Sequence, residues 1–156
     1  MRRGLQITVF LALLLTAGTA AAQSFYFGGG IGRTLALEGA PDARNIVGFV
    51  GLESRGRLGV RLEGNETISY LFLSLNGTYT FGPDDSRLRP YAIGGIGLAI
   101  ELYEPEIVTL NLGGGLRFDI VRHLRLFGEA RVVRLLGDEA RRSTIAPLNV
   151  GLQIVL

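Results

Sequence analysis

The C-terminal stretch Ile145-Ala146-Pro147-Leu148-Asn149-Val150-Gly151-Leu152-Gln153-Ile154-Val155-Leu156 decides how the rest of the chain is read. Ala146, Leu148, Val150, Leu152, Ile154 and Leu156 share one parity, and Ile145, Pro147, Asn149, Gly151, Gln153 and Val155 share the other. Successive side chains of a strand point to opposite faces, so this segment has one aliphatic face and one small, mixed and polar face. An amphipathic helix would repeat its apolar residues at intervals of three and four, and no segment from Ser24 onward sustains that spacing.

The same split recurs upstream. Leu124, Leu126, Gly128, Ala130 and Val132 oppose His123, Arg125, Phe127, Glu129 and Arg131. Val108, Leu110, Leu112, Gly114, Leu116 and Phe118 oppose Thr109, Asn111, Gly113, Gly115 and Arg117. Leu71, Leu73, Leu75 and Tyr79 oppose Phe72, Ser74, Asn76 and Thr78, and Leu58, Val60 and Leu62 oppose Gly59, Arg61 and Glu63. Ala92, Ile96, Leu98 and Ile100 oppose Tyr91, Gly95, Ala99 and Glu101. Two further Gly-rich segments, 24–33 and 45–54, alternate less cleanly. Eight strands are therefore predicted, at about 24–33, 45–54, 57–64, 68–81, 90–102, 107–118, 123–134 and 144–156. Their connections fall alternately at two ends, Ser54–Arg57, Gly82–Arg89 and Asp119–Arg122 at one, and Thr34–Arg44, Gly64–Thr67, Tyr103–Glu106 and Leu135–Ser143 at the other. An eight-stranded antiparallel up-and-down meander can close into a barrel, which leaves no exposed edge.

Alternation alone does not say which face is inside. Three features place the aliphatic face outside, against lipid. The polar face is mostly Gly, Ala, Ser, Thr and Asn, too poor in charge for a solvated surface and small enough for a narrow interior. The mid-strand charges Arg61, Glu63, Glu101, Arg117, Arg125, Glu129 and Arg131 all avoid the leucine parity, as expected where a lipid-facing Arg costs about 2–4 kcal/mol. Phe25, Phe27, Tyr79, Phe81, Tyr91 and Phe118 gather at the turn end, where an interfacial girdle belongs. The competing soluble reading is a lipocalin-like barrel with the leucines inside around an apolar ligand.

Composition narrows the function. The 156 residues contain no Cys, no Trp and one His, which excludes disulfides, thiolate chemistry and His-based metal clusters. All 16 basic residues are Arg, two of them at Arg2-Arg3; without that pair the charge balances against the 14 acids. A neutral chain lacking a basic cluster is a poor nucleic-acid binder. Met1-Arg2-Arg3-Gly4, the apolar run Ile7–Ala17 and Ala20-Ala21-Ala22 form the three parts of a signal peptide, predicted to be removed before Gln23. The domain plan is thus a leader, 1–22, and a barrel, 23–156.

Asn149-Val150-Gly151-Leu152-Gln153-Ile154-Val155-Leu156 is similar to the C-terminal assembly signal of bacterial outer-membrane barrels, with Asn149, Gly151, Ile154 and Leu156 at its marked positions, although Leu156 stands where that signal usually has an aromatic residue. Arg89-Pro90-Tyr91-Ala92-Ile93-Gly94-Gly95-Ile96-Gly97 and Asn111–Phe118 resemble the fifth and sixth strands of the small "outer membrane protein beta-barrel domain" family, of OmpA and OmpX type. The resemblance implies an outer-membrane location, termini and turns toward the periplasm, and loops outward. It also implies outer-membrane lipid, lipopolysaccharide and the barrel-assembly machinery as partners, a monomer, no cofactor, and a non-enzymatic structural or surface role.

Among the candidate chemistries, the inward charges are the strongest. Arg61 and Glu63 on the third strand and Arg125, Glu129 and Arg131 on the seventh are predicted to meet at neighbouring depths and to pair, as buried charges must. A plug is the favoured reading, and a conduit gated by re-pairing is the alternative. His123 would serve a lipid A-modifying enzyme only with a Ser partner near the outward rim, and the sequence offers none. Gly28–Gly32, Gly94–Gly97 and Gly113–Gly115 neither match a phosphate loop nor open a helix. Asp84-Asp85 and Glu104/Glu106 read as solvated turns ahead of a calcium site.

Overall fold

The structure, a computed structural model, describes residues 23–37, 42–54, 57–67, 70–100, 106–137 and 143–156. The leader and Glu101 lie outside these residues. Eight strands run in order: β1 Gln23–Ala36, β2 Ala43–Ser54, β3 Leu58–Thr67, β4 Leu71–Thr80, β5 Leu88–Ile100, β6 Ile107–Val121, β7 Leu124–Leu135 and β8 Thr144–Val155. Each pairs antiparallel with the next, and β8 pairs with β1 to close the barrel.

The register fixes the barrel's shape. Starting at Tyr26 and stepping across partners, the path runs Gly51, Arg61, Asn76, Gly95, Asn111, Val133 and Ile145, and returns to β1 at Ala36, ten residues along. Eight strands with that stagger tilt about 40° from the axis on a radius of roughly 8 Å. Such an interior holds side chains and little else.

The faces follow the sequence. Leu62, Leu73, Ile96, Leu112, Val132 and Val150 all point outward and are exposed, Leu112 by 71%. Arg61, Glu63, Asn76, Arg117, Glu129, Arg131 and Asn149 point inward and are buried. No helix among the described residues is long and apolar enough to cross a membrane, and the chain presents strands instead.

Two expectations need correction. The strands β1, β2 and β3 extend farther toward the loop end than predicted, to Ala36, from Ala43 and to Thr67. Apolar patterning stops near Arg33, Arg44 and Glu66, but backbone pairing is indifferent to side-chain polarity and continues. Tyr91, expected in the aromatic girdle, is 3% exposed and points into the lumen. A place near a strand end points to an interface, whereas the parity of Tyr91, opposite to Ala92, assigns it inward, and parity decides. Phe25, Phe27, Tyr79, Phe81 and Phe118 are exposed on the outer face at the turn end, with Phe25 against Phe27 and Tyr79 against Phe81 at 6.4 and 4.9 Å between ring centroids.

Candidate functional site

The lumen is the most highly built part of the molecule, and it is layered. At mid-height β3 and β7, four strands apart, face each other across the barrel. Both carry two charges separated by one residue, Arg61-Leu62-Glu63 and Glu129-Ala130-Arg131. The alternation that sends Leu62 and Ala130 outward sends all four charges inward. Arg61 Nη2 donates to both oxygens of Glu129 at 2.9 and 2.8 Å and lies 2.7 Å from Glu63 Oε2. Arg131 closes the square, donating to Glu63 through Nη2 and to Glu129 through Nε. Two cations and two anions thus alternate, almost fully buried, with no net charge. Tyr91 Oη donates to Glu129 at 2.5 Å, and the Arg61 guanidinium lies over the Phe49 ring, 4.6 Å from its centroid.

A second tier closes the turn end. Arg117 Nη1 donates to Glu53 Oε1 at 2.8 Å and to Thr80 Oγ1 at 3.2 Å, while Thr80 donates to Glu53 in turn. Arg125 bridges Glu53 and Asp119 at 2.9 and 2.8 Å, and Arg89 donates to Asp119 at 2.9 Å. The tiers are joined by Tyr91, whose hydroxyl serves the upper square and whose ring face carries Arg117, 4.2 Å from its centroid. Gly115 makes room for that ring, since a Cβ there would lie 2.8 Å from two of its atoms.

Toward the loops the charges give way to amides. Asn45 donates to Asn65 at 3.2 Å and to Asn149 at 2.7 Å, and Asn111 donates to Asn76 at 2.9 Å. The Asn45–Asn149 contact reaches over β1 at Gly32, where a Cβ would sit 2.7 Å from Asn45 Oδ1. Above the amides, Ala99, Ile107 and Leu135 pack with Tyr70, Phe72 and Ile145 into an apolar cap. Between square and cap remains a cavity of about 20 Å³, lined by Glu63, Asn65, Ser74, Asn111 and Arg131 among others, room for about one water.

Six of the seven charges singled out in the sequence are described, and all six lie in the lumen. Arg125 is not beside Arg131, as expected, but a tier lower: strand residues separated by six lie about 20 Å apart along the strand. Sequence reading missed Glu53, Asp119 and Arg89. Glu53 shares the parity of Phe49 and Gly51, but β2 is apolar on both faces over much of its length, so its period-two contrast is weak. In the C-terminal motif, Asn149 and Gly151 point inward, while Ile154 and Leu156 lie on the exposed apolar face. His123 sits at the turn end with Nδ1 2.9 Å from the Val155 carbonyl oxygen, a contact that secures the last strand. Among the described residues no three His, Cys, Asp or Glu gather to hold a metal, and Asp84 lies 4.0 Å from Arg57.

A closed eight-strand meander, aliphatic outside and charge-paired inside, has the architecture of a membrane-spanning β-barrel. Solved structures of that kind share its fold. Neisserial surface protein A superposes with a TM-score of 0.67 at 12% identity, over 86% of this chain and 98% of the other. The N-terminal β-barrel domain of Pseudomonas aeruginosa OprF gives 0.58 at 20% identity, over 85% and 97%. The outer membrane enzyme PagL gives 0.57 at 16% identity, over 83% and 98%. No family model matches the chain, and no curated protein matches it in sequence.

Proposed function

We propose that this chain is a bacterial outer-membrane protein whose barrel is a sealed, non-enzymatic scaffold, and whose role is structural or one of surface interaction. The observation that supports it is the filling of the lumen, with two ion-paired tiers, an amide layer and an apolar cap in series. The exposed leucine belt favours lipid over the soluble ligand-binding reading, since a lipocalin-like barrel would have its aliphatic face inside. The partners that go with this reading are outer-membrane lipid, lipopolysaccharide and the barrel-assembly machinery, with the protein as a monomer. PagL shares the fold, so the fold alone does not separate scaffold from lipid-modifying enzyme. The position of His123, at the turn end on a backbone carbonyl, supports the scaffold. The test is reconstitution into planar bilayers and into vesicles containing lipid A. We expect no discrete conductance steps and no change in lipid mass; steady steps, or loss or gain of an acyl chain, would overturn this reading.

A further inference from the structure

The outer face changes character at the loop end. Arg33 on β1 and Arg44 on β2 are register partners, both exposed and both on the lipid-facing parity. Directly opposed side chains have Cβ atoms about 5 Å apart, and like charges so placed repel. The geometry worked from the register puts Arg134 of β7 and Glu66 of β3 within roughly 4 Å of the same height, so the rim carries three arginines, on β1, β2 and, beyond β8, on β7, together with the acids Glu66 and Asp42. Asp42 lies 3.7 Å from Arg33, both groups being largely exposed; Arg44 and Arg134 have no acidic partner among the described residues. Beneath the pair a groove of about 710 Å³ opens on the outer wall, lined by Ile31, Ile46, Leu148 and Val150 below Arg33 and Arg44, and most of its surface is apolar.

We propose that Arg33 and Arg44 form a binding site for the phosphate headgroup of an anionic membrane lipid, with one acyl chain lying in the groove below. Two arginines opposed across the β1–β2 pair can turn their donors to one phosphate, which would compete with Asp42 for Arg33 and offset the repulsion between the pair. Neither a free anion nor a neutral lipid satisfies both halves of the site. Glu66 bounds it on the β3 side, so the headgroup enters from β8, toward Arg134. The proposal rests on the membrane-barrel reading above, because only then does this wall meet lipid.

Native mass spectrometry of the purified protein in a zwitterionic detergent, titrated with phosphatidic acid, phosphatidylcholine or inorganic phosphate, tests it. We expect one phosphatidic acid retained at least tenfold more strongly than phosphatidylcholine, and no retention of inorganic phosphate. Arg33→Gln should weaken retention about 5-fold, and Arg33→Gln with Arg44→Gln about 25-fold, from the contribution of each arginine near a charged lipid surface. Glu66→Gln should strengthen it, and Arg57→Gln, at the turn end, should leave it unchanged. Retention of phosphate alone, equal retention of both lipids, or an undiminished signal in the double variant would each overturn the proposal. The heat-dependent shift in gel mobility, run on every variant, keeps the two readings apart. A double variant, Arg33→Gln with Arg44→Gln, that keeps the shift and binds phosphatidic acid as the parent does refutes the lipid site alone, whereas a parent protein soluble without detergent and lacking the shift refutes the membrane barrel.

Discussion

Replacing Glu129 by Gln tests whether the mid-barrel square is dry and held together by its ion pairs. The carboxylate accepts four hydrogen bonds from three donor atoms, two from Arg61 Nη2 and one each from Arg131 Nε and Tyr91 Oη. Glutamine keeps the shape, but one of its two acceptors becomes a donor facing guanidinium and phenol groups. The square then passes from two cations against two anions to a net charge of +1 beside a cavity of about 20 Å³, too small to hydrate it. Breaking a buried pair on one side costs about 3–5 kcal/mol. The double variant Arg61→Met/Glu129→Leu removes one whole ion pair, a side of the square, and leaves Glu63 with Arg131, so it should cost less than the sum of Arg61→Met and Glu129→Leu made separately. The chain has no Trp, so urea unfolding in vesicles would be followed by far-ultraviolet circular dichroism and by heat-dependent gel mobility. A loss below about 1 kcal/mol for Glu129→Gln, or strict additivity in the double variant, would refute the dry square and imply that water reaches it.

The outer wall and the remaining lumen support further tests. Leu112→Arg, near the middle of the apolar belt and 71% exposed, should cost about 2–4 kcal/mol and reduce the heat-modifiable fraction after refolding into lipid, while Leu112→Val should not. Asn111→Arg, one position away and facing in, should also fail to refold, because nothing near it can yield the space an Arg needs. Gly48 faces outward with no atom within 4 Å of a Cβ, so Gly48→Ala should be neutral or stabilising by up to about 1 kcal/mol, whereas Gly115→Ala should be destabilising by displacing Tyr91 from Arg117 and Glu129; melting of the two variants in one detergent would show the contrast.

The barrel was legible in the sequence because a lipid-facing strand must alternate, and six aliphatic-rich runs do so without a charged residue on that face at mid-strand. Parity assigns Arg61, Glu63, Arg117, Arg125, Glu129 and Arg131 to the face opposite the leucines, and the structure turns that face inward. Depth was harder to read. It depends on the stagger of the whole barrel, which only the closed register reveals, and so the sequence does not separate Arg125 from the residues a full tier above it. Strand ends were also hidden, since Arg33, Arg44 and Thr67 pair through their backbones beyond the apolar pattern. Glu53 and Asp119 escaped because their strands lose contrast near the turn, one through apolar residues on both faces and one through the register shift between Asp119 and Val121.

The charge order inside the barrel answers a problem that its outer wall creates. In water, burying leucines would specify the fold; here they remain outside in every register that keeps parity. A one-residue slip would turn them inward and is excluded at once. A two-residue slip preserves both faces and the backbone hydrogen bonds away from the strand ends, so the apolar pattern cannot reject it. The lumen can. β3 reads Arg then Glu toward the loops and β7 reads Glu then Arg, which sets Arg61 against Glu129 and Glu63 against Arg131. Moving one strand by two residues relative to the other would set Arg61 against Arg131 or Glu63 against Glu129, like charges in a low-dielectric space with no water to screen them. The square therefore contributes specificity even if its net stabilisation is modest, because it separates the observed stagger of ten from its neighbours that also close.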